Sequence, residues 1–565
     1  MVAPVPAADV AIALEHLERS PGYERLRSLR PSFAAAGRET LGALLQEAAR
    51  FADKVLAPLN PVMDRSGCRL DGGRVTTAPG HEAAWKEFVT LGWPRLPHRE
   101  ELGGPGLPLA VTLAVQEVFD RACPAFGMLP VSQRSAARLV SAFGNAEQKE
   151  IWLEGLAAGT IGATICVSEA AVGSDVSQLR TRASQTADGR WQLNGEKMWI
   201  TFADHPLSER TLHCVLADSA SPGSPQELSV FLVEGGGAQP GAVAVQRIEE
   251  KLGLHGSPTC VLRFADARAT LLGARGRGLS QMFTMITPMR LAVAVGGLAA
   301  AGASADVALA YAEQRKQGGP PQRPVAIIQH ADVQRQIMIM ISKVHVLRGL
   351  AFAAANLADI AELDTDEAVR AAAADRLAWL LPIAKTFGAE AGFDTASGAI
   401  QVLGGAGYTS EWPVEQIMRD CRIQTIFEGT TGIQALDLVR RRLLRGGSYE
   451  AFMAAARQSG PEPRLLSCLD LLDGAASYLR SLVPGSREIE IAAADFLQLA
   501  TLAATGWVAV GLLAKPADSP AAQIIQAAAG YWLSDLVERS RLHHARVVGG
   551  VTEITGIEIV RKYAR

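Results

Sequence analysis

Residues 424–443, QTIFEGTTGIQALDLVRRRL, hold a single carboxylate, Glu428, between an apolar pair and a run of glycine and threonine. From Ile433 onward, apolar residues recur at three- and four-residue spacing, which predicts a helix. Thr430 or Thr431 would suit as its N-cap, because a hydroxyl oxygen accepts from free backbone N–H groups. Taken alone, the stretch is explained by an acid near a helix N-terminus, where the helix dipole favours it. Whether Glu428 does more depends on the rest of the chain.

The composition is that of an ordinary folded protein. The chain has 565 residues, 48% of them hydrophobic and 20% charged, with a net charge of −3. This length suits about three or four domains, and the charge gives no reason to expect a nucleic-acid partner. The seven cysteines form no CxxC pair. They indicate reduced thiols rather than a disulfide framework or a zinc site, so we expect a cytoplasmic protein without a metal ion.

One apolar stretch approaches the length of a membrane span. Residues 496–514, FLQLATLAATGWVAVGLLA, are uncharged but contain a glutamine, two threonines and two glycines. This content favours a buried core helix, so we expect no membrane span. Attachment of the C-terminal segment to a membrane surface is the alternative. The N-terminus has no basic region before its apolar residues and does not read as a secretion signal.

The pattern along the chain changes twice, and a linker then separates two helical parts. Helical periodicity runs to about residue 160, and short alternating runs follow, separated by turn signals such as Asn194-Gly195. Those runs predict an antiparallel β domain. Helical periodicity returns near Leu279, and RGGSY near Arg445 looks like a linker to a further helical segment. The predicted fold is α+β, with an N-terminal helical domain at 1–162, a middle β domain at 163–277, a four-helix bundle at 278–446 and an additional helical domain at 447–565.

Three separated motifs carry a resemblance to a known family. There is no P-loop and no GxGxxG after a strand, so a classical dinucleotide fold is not predicted. The motifs are TICVSEAAVGSDVSQLRTRA at 164–183, NGEKMWIT at 194–201 and QVLGGAGYTSEWPVEQIMRDCRIQTIFEGTTGIQ at 401–434. In this order they resemble the acyl-CoA dehydrogenase flavoproteins. KLGLHGSPTC at 251–260 and the added C-terminal segment resemble the larger branch that includes 3-methylmercaptopropionyl-CoA dehydrogenases.

The resemblance implies an activity for Glu428. These enzymes oxidise an acyl-CoA thioester to the 2-enoyl-CoA, and Glu428 matches the base that removes the α-proton while flavin N5 accepts the β-hydride. Burial beside apolar groups would raise a glutamate pKa from about 4.3 towards about 6–7. In the family, the backbone N–H of this glutamate and a flavin ribityl hydroxyl polarise the thioester carbonyl. Phe427 replaces the usual tyrosine, and Met289, at the alternative position for the base, cannot take a proton.

The resemblance also assigns positions to FAD and substrate. Ser168 takes the place of a hydroxyl residue that contacts the flavin, and Trp199 and Thr201 match residues placed against the isoalloxazine ring. Arg315 matches an arginine that binds the pyrophosphate, as suits a bidentate guanidinium. The set implied for FAD is Cys166, Val167, Ser168, Gly173, Ser174, Trp199, Ile200, Thr201, Arg315, Gln401, Gly404, Gly405 and Thr430, and the set implied for substrate is Ser174, Arg290 and Gly429.

Partners follow from the same resemblance. Gln401, Gly404 and Gly405 match a segment that approaches the FAD of a neighbouring subunit, which implies a homodimer or a dimer of dimers. Electron-transfer flavoprotein is the implied electron acceptor.

Two departures from the family pattern bear on the FAD site. The usual EPGAGSD reads EAAVGSD here, with Ala170 and Ala171, which puts the shape of that turn in question. After Arg315, KQGGPPQRP at 316–324 replaces a frequent xxFG, which puts the packing of the adenine in question.

Three alternatives remain open at this stage. They are an acyl-CoA oxidase, a dehydrogenase of a carrier-protein-bound thioester, and a flavin-containing DNA-binding relative without dehydrogenase activity. The nearly balanced charges of residues 447–565 count against the last of these. The sequence does not name the acyl chain.

Overall fold

Helices form the first part of the chain. The computed structural model describes residues 5, 9–235, 237–549, 557 and 560–561. In α4 the apolar residues Leu41, Leu45 and Ala48 recur at helical spacing and are buried, as the periodicity predicted. These helices are α1 (Val10–Arg19), α2 (Tyr23–Arg27), α3 (Pro31–Ala35), α4 (Arg38–Phe51), α5 (Ala57–Ser66), α6 (His81–Thr90), α7 (Leu109–Ala122), α8 (Pro124–Phe143) and α9 (Ala146–Ala158).

A small hairpin that the sequence analysis missed interrupts the helices. It pairs β1 (Arg69–Asp71) with β2 (Arg74–Thr76). Three residues are too few to show a clear two-residue alternation, so such strands leave little signal in a sequence.

A seven-stranded sheet follows the first helices. Its order is β3-β6-β4-β5-β9-β7, β8 lies on β9, and a further pairing joins β7, the last strand of this order, to β6, the second. Most pairs are antiparallel, as predicted, but β3 and β4 each pair with β6 in parallel. The strands are β3 (Ile161–Cys166), β4 (Arg182–Gln185), β5 (Trp191–Thr201), β6 (Arg210–Asp218), β7 (Leu228–Glu234), β8 (Val243–Ile248) and β9 (Thr259–Leu272).

The predicted turn at Asn194-Gly195 is wrong. Both residues lie inside β5, where the register with β9 shifts between Leu193 and Gly195, so the pair marks a β-bulge. A Cβ on Gly195 would lie 2.7 Å from the backbone of Thr181, so only glycine fits there. The Asn194 side chain donates to Asp266 Oδ1 at 2.9 Å and thereby joins the bulge to the neighbouring strand.

Long helices return after the sheet and build the second helical part. α10 and α12 approach each other closely, because a Cβ on Gly297 of α10 would lie 2.0 Å from the carbonyl oxygen of Gly388 on α12. This contact sets the spacing of the two helices. The helices are α10 (Gly278–Gln314), α11 (Ala331–Leu363), α12 (Glu367–Leu403), α13 (Val414–Cys421) and α14 (Thr431–Asp437), and α14 continues as a π-helix over Leu438–Leu443.

Five more helices share a core with these. Trp379 of α12 lies in one hydrophobic cluster with Phe452, Phe496 and Trp507 of the C-terminal segment. The additional segment therefore packs directly on the helices that lead to Glu428. Its helices are α15 (Ser448–Gln458), α16 (Pro463–Ser481), α17 (Arg487–Leu513), α18 (Pro520–Leu533) and α19 (Leu536–Gly549), and the predicted domain ends at residues 1 and 565 lie outside the described residues.

Three described helices, α10, α11 and α17, are long and apolar enough to cross a membrane by length and composition alone. Within the fold, 83%, 78% and 83% of their most apolar windows are buried against the rest of the chain. The apolar stretch at 496–514 lies largely in α17 and is a core helix here, as predicted.

Candidate active site

Glu428 lies in a tight loop just before α14. Its φ is +55° and that of Gly429 is +89°. A positive φ is rare for a glutamate and is strained, so it persists only where the surroundings fix it. Thr430 is the N-cap of α14, and its Oγ1 accepts from the Ile433 N–H at 3.4 Å. We call residues 426–430, which contain the predicted base, the catalytic loop.

Two buried side chains hold the catalytic loop through hydrogen bonds to its carbonyl oxygens. Lys385 of α12 donates from Nζ to the Gly429 carbonyl oxygen at 2.8 Å, and Gln434 of α14 donates from Nε2 to the Glu428 carbonyl oxygen at 2.9 Å. Both side chains are fully buried. Among the residues that the structure describes, nothing accepts from the backbone N–H of Glu428. The loop therefore turns its carbonyls into the protein and leaves this N–H as a free donor.

The electrostatics around Glu428 suit a base. Burial raises the pKa of Glu428, and the positive charges of Arg290 and Lys385 oppose that rise. Arg290 is itself buried, and its Nη1 lies 3.1 Å from Asp437 Oδ2. Burial also lowers the pKa of Lys385 to about 8, against the charge of Glu428. A carboxyl group with a raised pKa can take a proton near neutral pH.

The motif with the two alanines forms a tight turn on the sheet side. The N–H groups of Glu169 and Val172 each donate to the other residue's carbonyl oxygen at 3.0 Å. Ala170 and Ala171 fill the two central positions, so the turn closes without the family's proline and glycine. Val172 is buried and anchors the turn, whereas Gly173 and Ser174, which follow it, are exposed.

A buried ion pair ties this turn to β5. Lys197 Nζ lies 2.9 Å from Glu169 Oε1 and donates to the Val167 carbonyl oxygen at 3.0 Å. The Met198 N–H donates to the Ser168 carbonyl oxygen at 2.9 Å. The turn and the strand therefore form one rigid unit that sets Ser168 beside the end of β5.

Trp199 lies on a second bulge of β5. The register with β9 shifts between Lys197 and Ile200, and Trp199 has φ +61°. Its indole is 54% exposed, whereas Ile200 is buried and Thr201 is half-buried. A large aromatic ring that is exposed at a strained backbone position suits contact with a planar ligand.

Some residues predicted to bind FAD do not present a side chain to that surface. Cys166 is fully buried, and its Sγ lies 3.1 Å from Thr164 Oγ1. Together with buried Ile200, it can reach a ligand only through its backbone.

α10 connects the sheet side to the catalytic loop. Met282 and Met285 in its first turns pack in one cluster with Val172. Further along the helix, the positive charge of Arg290 lowers the pKa of Glu428. The residues from Ser168 to Thr201 and the catalytic loop therefore flank the same helix.

The remaining predicted FAD positions form a separate group. Arg315 follows the end of α10, about 37 Å from Arg290 at 1.5 Å of helix per residue. The rings of Tyr311 and Trp412, 5.0 Å apart, join this end of α10 to the loop after Tyr408. Arg315, Gln401, Gly404 and Gly405 are all exposed. We call these four residues the distal patch.

The inserted sequence after Arg315 folds back on itself beside the distal patch. Lys316 pairs with Ala326, and the Gln317 N–H donates to the Val325 carbonyl oxygen at 2.9 Å.

Sequence reasoning missed the residues that hold both loops, which are Glu169, Lys197, Lys385 and Gln434. A signal was present for the two lysines. Lys197 occupies the same buried register of β5 as Leu193, and Lys385 lies within the apolar helical run WLLPIAKTFG. A lysine in such a position is rarely buried without a specific partner.

The sheet side fits a flavin ring. It offers an exposed indole face from Trp199, half-buried hydroxyls from Ser168 and Thr201, and the exposed backbone of Gly173 and Ser174. Rings of this kind need an apolar face together with a few hydrogen-bonding groups. These residues would hold the isoalloxazine end of FAD, whereas the guanidinium of Arg315 suits a pyrophosphate.

Comparison with known proteins shows the family of this chain. Three family models match in order: the acyl-CoA dehydrogenase N-terminal domain at residues 38–160, the middle domain at 164–267 and the C-terminal domain at 276–444. The chain is 37% identical to the 3-methylmercaptopropionyl-CoA dehydrogenase of Ruegeria pomeroyi over 79% of this chain and 77% of that protein.

Solved structures show a similar fold. The structure of an acyl-CoA dehydrogenase complexed with FAD from Bacillus anthracis is similar in fold, with a TM-score of 0.77 and 21% identity over 93% of this chain and 91% of that one. A structure described as an electron transferring flavoprotein of Acidaminococcus fermentans has a TM-score of 0.61 and 26% identity over 72% of this chain and 98% of that one. The chain belongs to the acyl-CoA dehydrogenase family of FAD-dependent oxidoreductases.

Proposed function

We propose that this protein oxidises an acyl-CoA thioester to its 2-enoyl-CoA, with Glu428 as the catalytic base. One observation carries the proposal. The catalytic loop offers a carboxyl group with a raised pKa and, from the same residue, a backbone N–H without a partner among the described residues. Removing a proton next to a carbonyl requires both a base and a donor to the carbonyl oxygen.

The steps follow from these two groups. The Glu428 carboxylate takes the proton from the α-carbon, and the Glu428 N–H donates to the thioester oxygen as negative charge develops there. One such donor typically contributes about 10²–10³ in rate. Phe427 precedes the base and would supply an apolar neighbour, whereas Ile426 is 51% exposed, and Gly429 would let the backbone pass close to substrate. Bound FAD would accept the β-hydrogen as hydride.

Other residues are proposed to bind rather than react. Thr430 would make a closing contact with FAD. Ser174 would line both flavin and thioester, and Arg290 would lie at the substrate while remaining paired with Asp437.

The separation between the sheet side and the distal patch supports a homodimer or a dimer of dimers. In that arrangement the distal patch of one subunit would bind the FAD held mainly by the other. All four of its residues are exposed in the single chain, as such a contact requires.

Electron-transfer flavoprotein is the proposed electron acceptor, in line with the family. A cytoplasmic location is supported by the cysteines, all seven of which are free thiols.

The test is an anaerobic absorbance spectrum of the FAD-loaded protein, recorded before and after each of a panel of acyl-CoAs. We expect the flavin band to bleach with at least one thioester and to stay unchanged in Glu428→Gln, since general bases contribute about 10²–10⁴ in rate. Equal FAD content in the two proteins is the control. A band that stays oxidised with every acyl-CoA, but bleaches with an acyl-carrier protein, would move the substrate to a carrier-bound thioester. Bleaching that persists in Glu428→Gln would contradict the role of Glu428.

A further inference from the structure

Lys385 is a lysine in the protein interior that touches the catalytic loop. Its side chain is fully buried, and its Nζ lies 2.8 Å from the carbonyl oxygen of Gly429, the residue after the base. Burying an ammonium group costs free energy unless it is hydrogen-bonded and its charge is balanced. A hydrocarbon side chain of the same length would fill the site without that cost, so the charge calls for an explanation.

The described residues place no carboxylate in an ion pair with Lys385. The charged groups that act on it are Glu428, Arg290 and, from its own helix, Glu390. Arg290 is paired with Asp437, which also faces Arg441 at 3.5 Å and Arg442 at 3.7 Å. The carboxylate of Glu390 accepts a hydrogen bond from Gln498 at 3.0 Å. Among these groups, Glu428 is the acid whose charge is not already engaged by a hydrogen bond or an ion pair.

We propose that Lys385 is a positioning residue that fixes the catalytic loop through the Gly429 carbonyl and balances the charge of the Glu428 carboxylate. This inference rests on the proposed function of Glu428. Gln434 shares the first task through the Glu428 carbonyl but carries no charge. A comparison of the two side chains therefore separates the effect of a hydrogen bond to the loop from the effect of the positive charge.

Each task has a consequence for the reaction. With the carbonyls of residues 428 and 429 held, the Glu428 peptide keeps its strained φ of +55°, and its N–H stays without an acceptor among the described residues. Loss of either tether lets the loop relax, and a misplacement of about 1 Å can lower a rate about 10²-fold. The positive charge of Lys385 lowers the pKa of Glu428, so its removal raises that pKa. Glu428 would then stay protonated, and inactive as a base, to higher pH.

Acetyl-CoA isolates the step that these residues serve. Its acyl group has α-hydrogens but no β-carbon, so no hydride can leave, and the exchange of α-hydrogen for deuterium in D₂O reports proton abstraction alone. The holoenzyme is incubated with acetyl-CoA in D₂O across a range of pH, and the mass of the thioester is followed by mass spectrometry. The compared proteins are the wild type, Lys385→Met and Gln434→Met.

Both variants are expected to exchange about 10²-fold more slowly than the wild type. Only Lys385→Met is expected to move the acid limb of the exchange profile to higher pH, because only it removes a charge. Lys343→Met is the matched control, since Lys343 pairs with Asp394 at 3.2 Å on the surface and should leave the profile unchanged. Thermal unfolding and FAD content show whether each variant is folded.

An unchanged exchange rate and acid limb in folded Lys385→Met would overturn the proposal. An equal shift of the acid limb in both Met variants would overturn the charge role. If Lys385→Met does not fold, Lys385→Gln takes its place, because the amide keeps a donor without the charge and should show the same shift of the limb. A wild type that exchanges no α-hydrogen, with no acyl-CoA that bleaches the flavin, would instead refute the proposed function itself.

Discussion

Two fully buried lysines hold the two halves of the candidate active site, and they do so in different ways. On the sheet side, Lys197 donates to the Val167 carbonyl at 3.0 Å and contacts the Glu169 carboxylate at 2.9 Å. On the helical side, Lys385 donates to the Gly429 carbonyl at 2.8 Å and forms no ion pair with a described residue. Both lysines tether a loop through a main-chain carbonyl, but only Lys197 has its charge neutralised in direct contact.

This difference in pairing indicates different roles for the two lysine charges. The charge of Lys197 is balanced by Glu169 and stabilises a rigid support for the proposed flavin site. The charge of Lys385 is left to act on Glu428, the proposed base. Loss of the first lysine should therefore destabilise the fold, whereas loss of the second should slow the proposed reaction and change how stability depends on pH.

The largest effect on stability is expected at Lys197. Lys197→Met leaves the buried Glu169 carboxylate without a positive partner, and removing one partner of a buried pair typically costs about 3–5 kcal/mol. Because Glu169 keeps hydrogen bonds from the N–H groups of Arg180 and Thr181, a cost near the lower end is expected. Urea denaturation followed by fluorescence would measure it.

The double variant Glu169→Gln/Lys197→Met sharpens this result. It removes the unpaired charge, so it should recover part of the loss, as a double-mutant cycle would show. Arg190→Met, on an exposed pair with Asp188, is the control and should be nearly neutral. Recovery that fails to appear would mean that the pair stabilises through its geometry rather than its charge balance.

Lys385 should change how the free energy of unfolding depends on pH. Its pKa is lowered to about 8 by burial, against the charge of Glu428, whereas an unfolded lysine titrates near about 10.4. Between these values the unfolded chain binds more protons, so the free energy of unfolding rises with pH. The wild type should gain roughly 2–3 kcal/mol relative to Lys385→Met from about pH 8 to about 10.5. Parallel urea curves at several pH values would measure the difference, and a constant difference would show that Lys385 titrates normally.

The smallest effect is expected at Trp199. Because its indole is 54% exposed, Trp199→Ala should change the stability of the fold by less than about 0.5 kcal/mol. Loss of a ring contact worth about 0.5–1.5 kcal/mol should weaken FAD binding by up to about tenfold. Flavin fluorescence on dilution would measure the release of FAD, with Leu91→Ala, an exposed change far along the chain, as control. FAD affinity that is unchanged would place the flavin away from Trp199.

The sequence predicted what depends on local patterns. The division into helical, β and helical parts was correct because periodicity is a property of neighbouring residues. For the same reason the sequence narrowed the N-cap of α14 to Thr430 or Thr431, and the cap is Thr430. The motif at 424–434 also led to Glu428. Its raised pKa agrees in direction with the expected burial, although Ile426, one of the two apolar residues expected beside it, is 51% exposed.

What the sequence did not predict depends on contacts between distant residues. Lys385 lies 44 positions before Gly429, and Lys197 lies 28 positions after Glu169. No spacing rule connects such residues before the chain is folded. The Asn194-Gly195 pair was misread because a bulge and a hairpin turn favour the same residues, and only the strand register distinguishes them.

The core shared by the C-terminal helices has a consequence for how the protein unfolds. A Cβ on Gly349 of α11 would lie 2.5 Å from Val508 of α17, so the two helices are in direct van der Waals contact. Segments that share one core melt together, and hydrogen exchange in such segments reports a single opening event. Amide protection in α17 should therefore rise and fall with that in α11. The linker near Arg445 would then separate two segments of the sequence that still unfold as one cooperative unit.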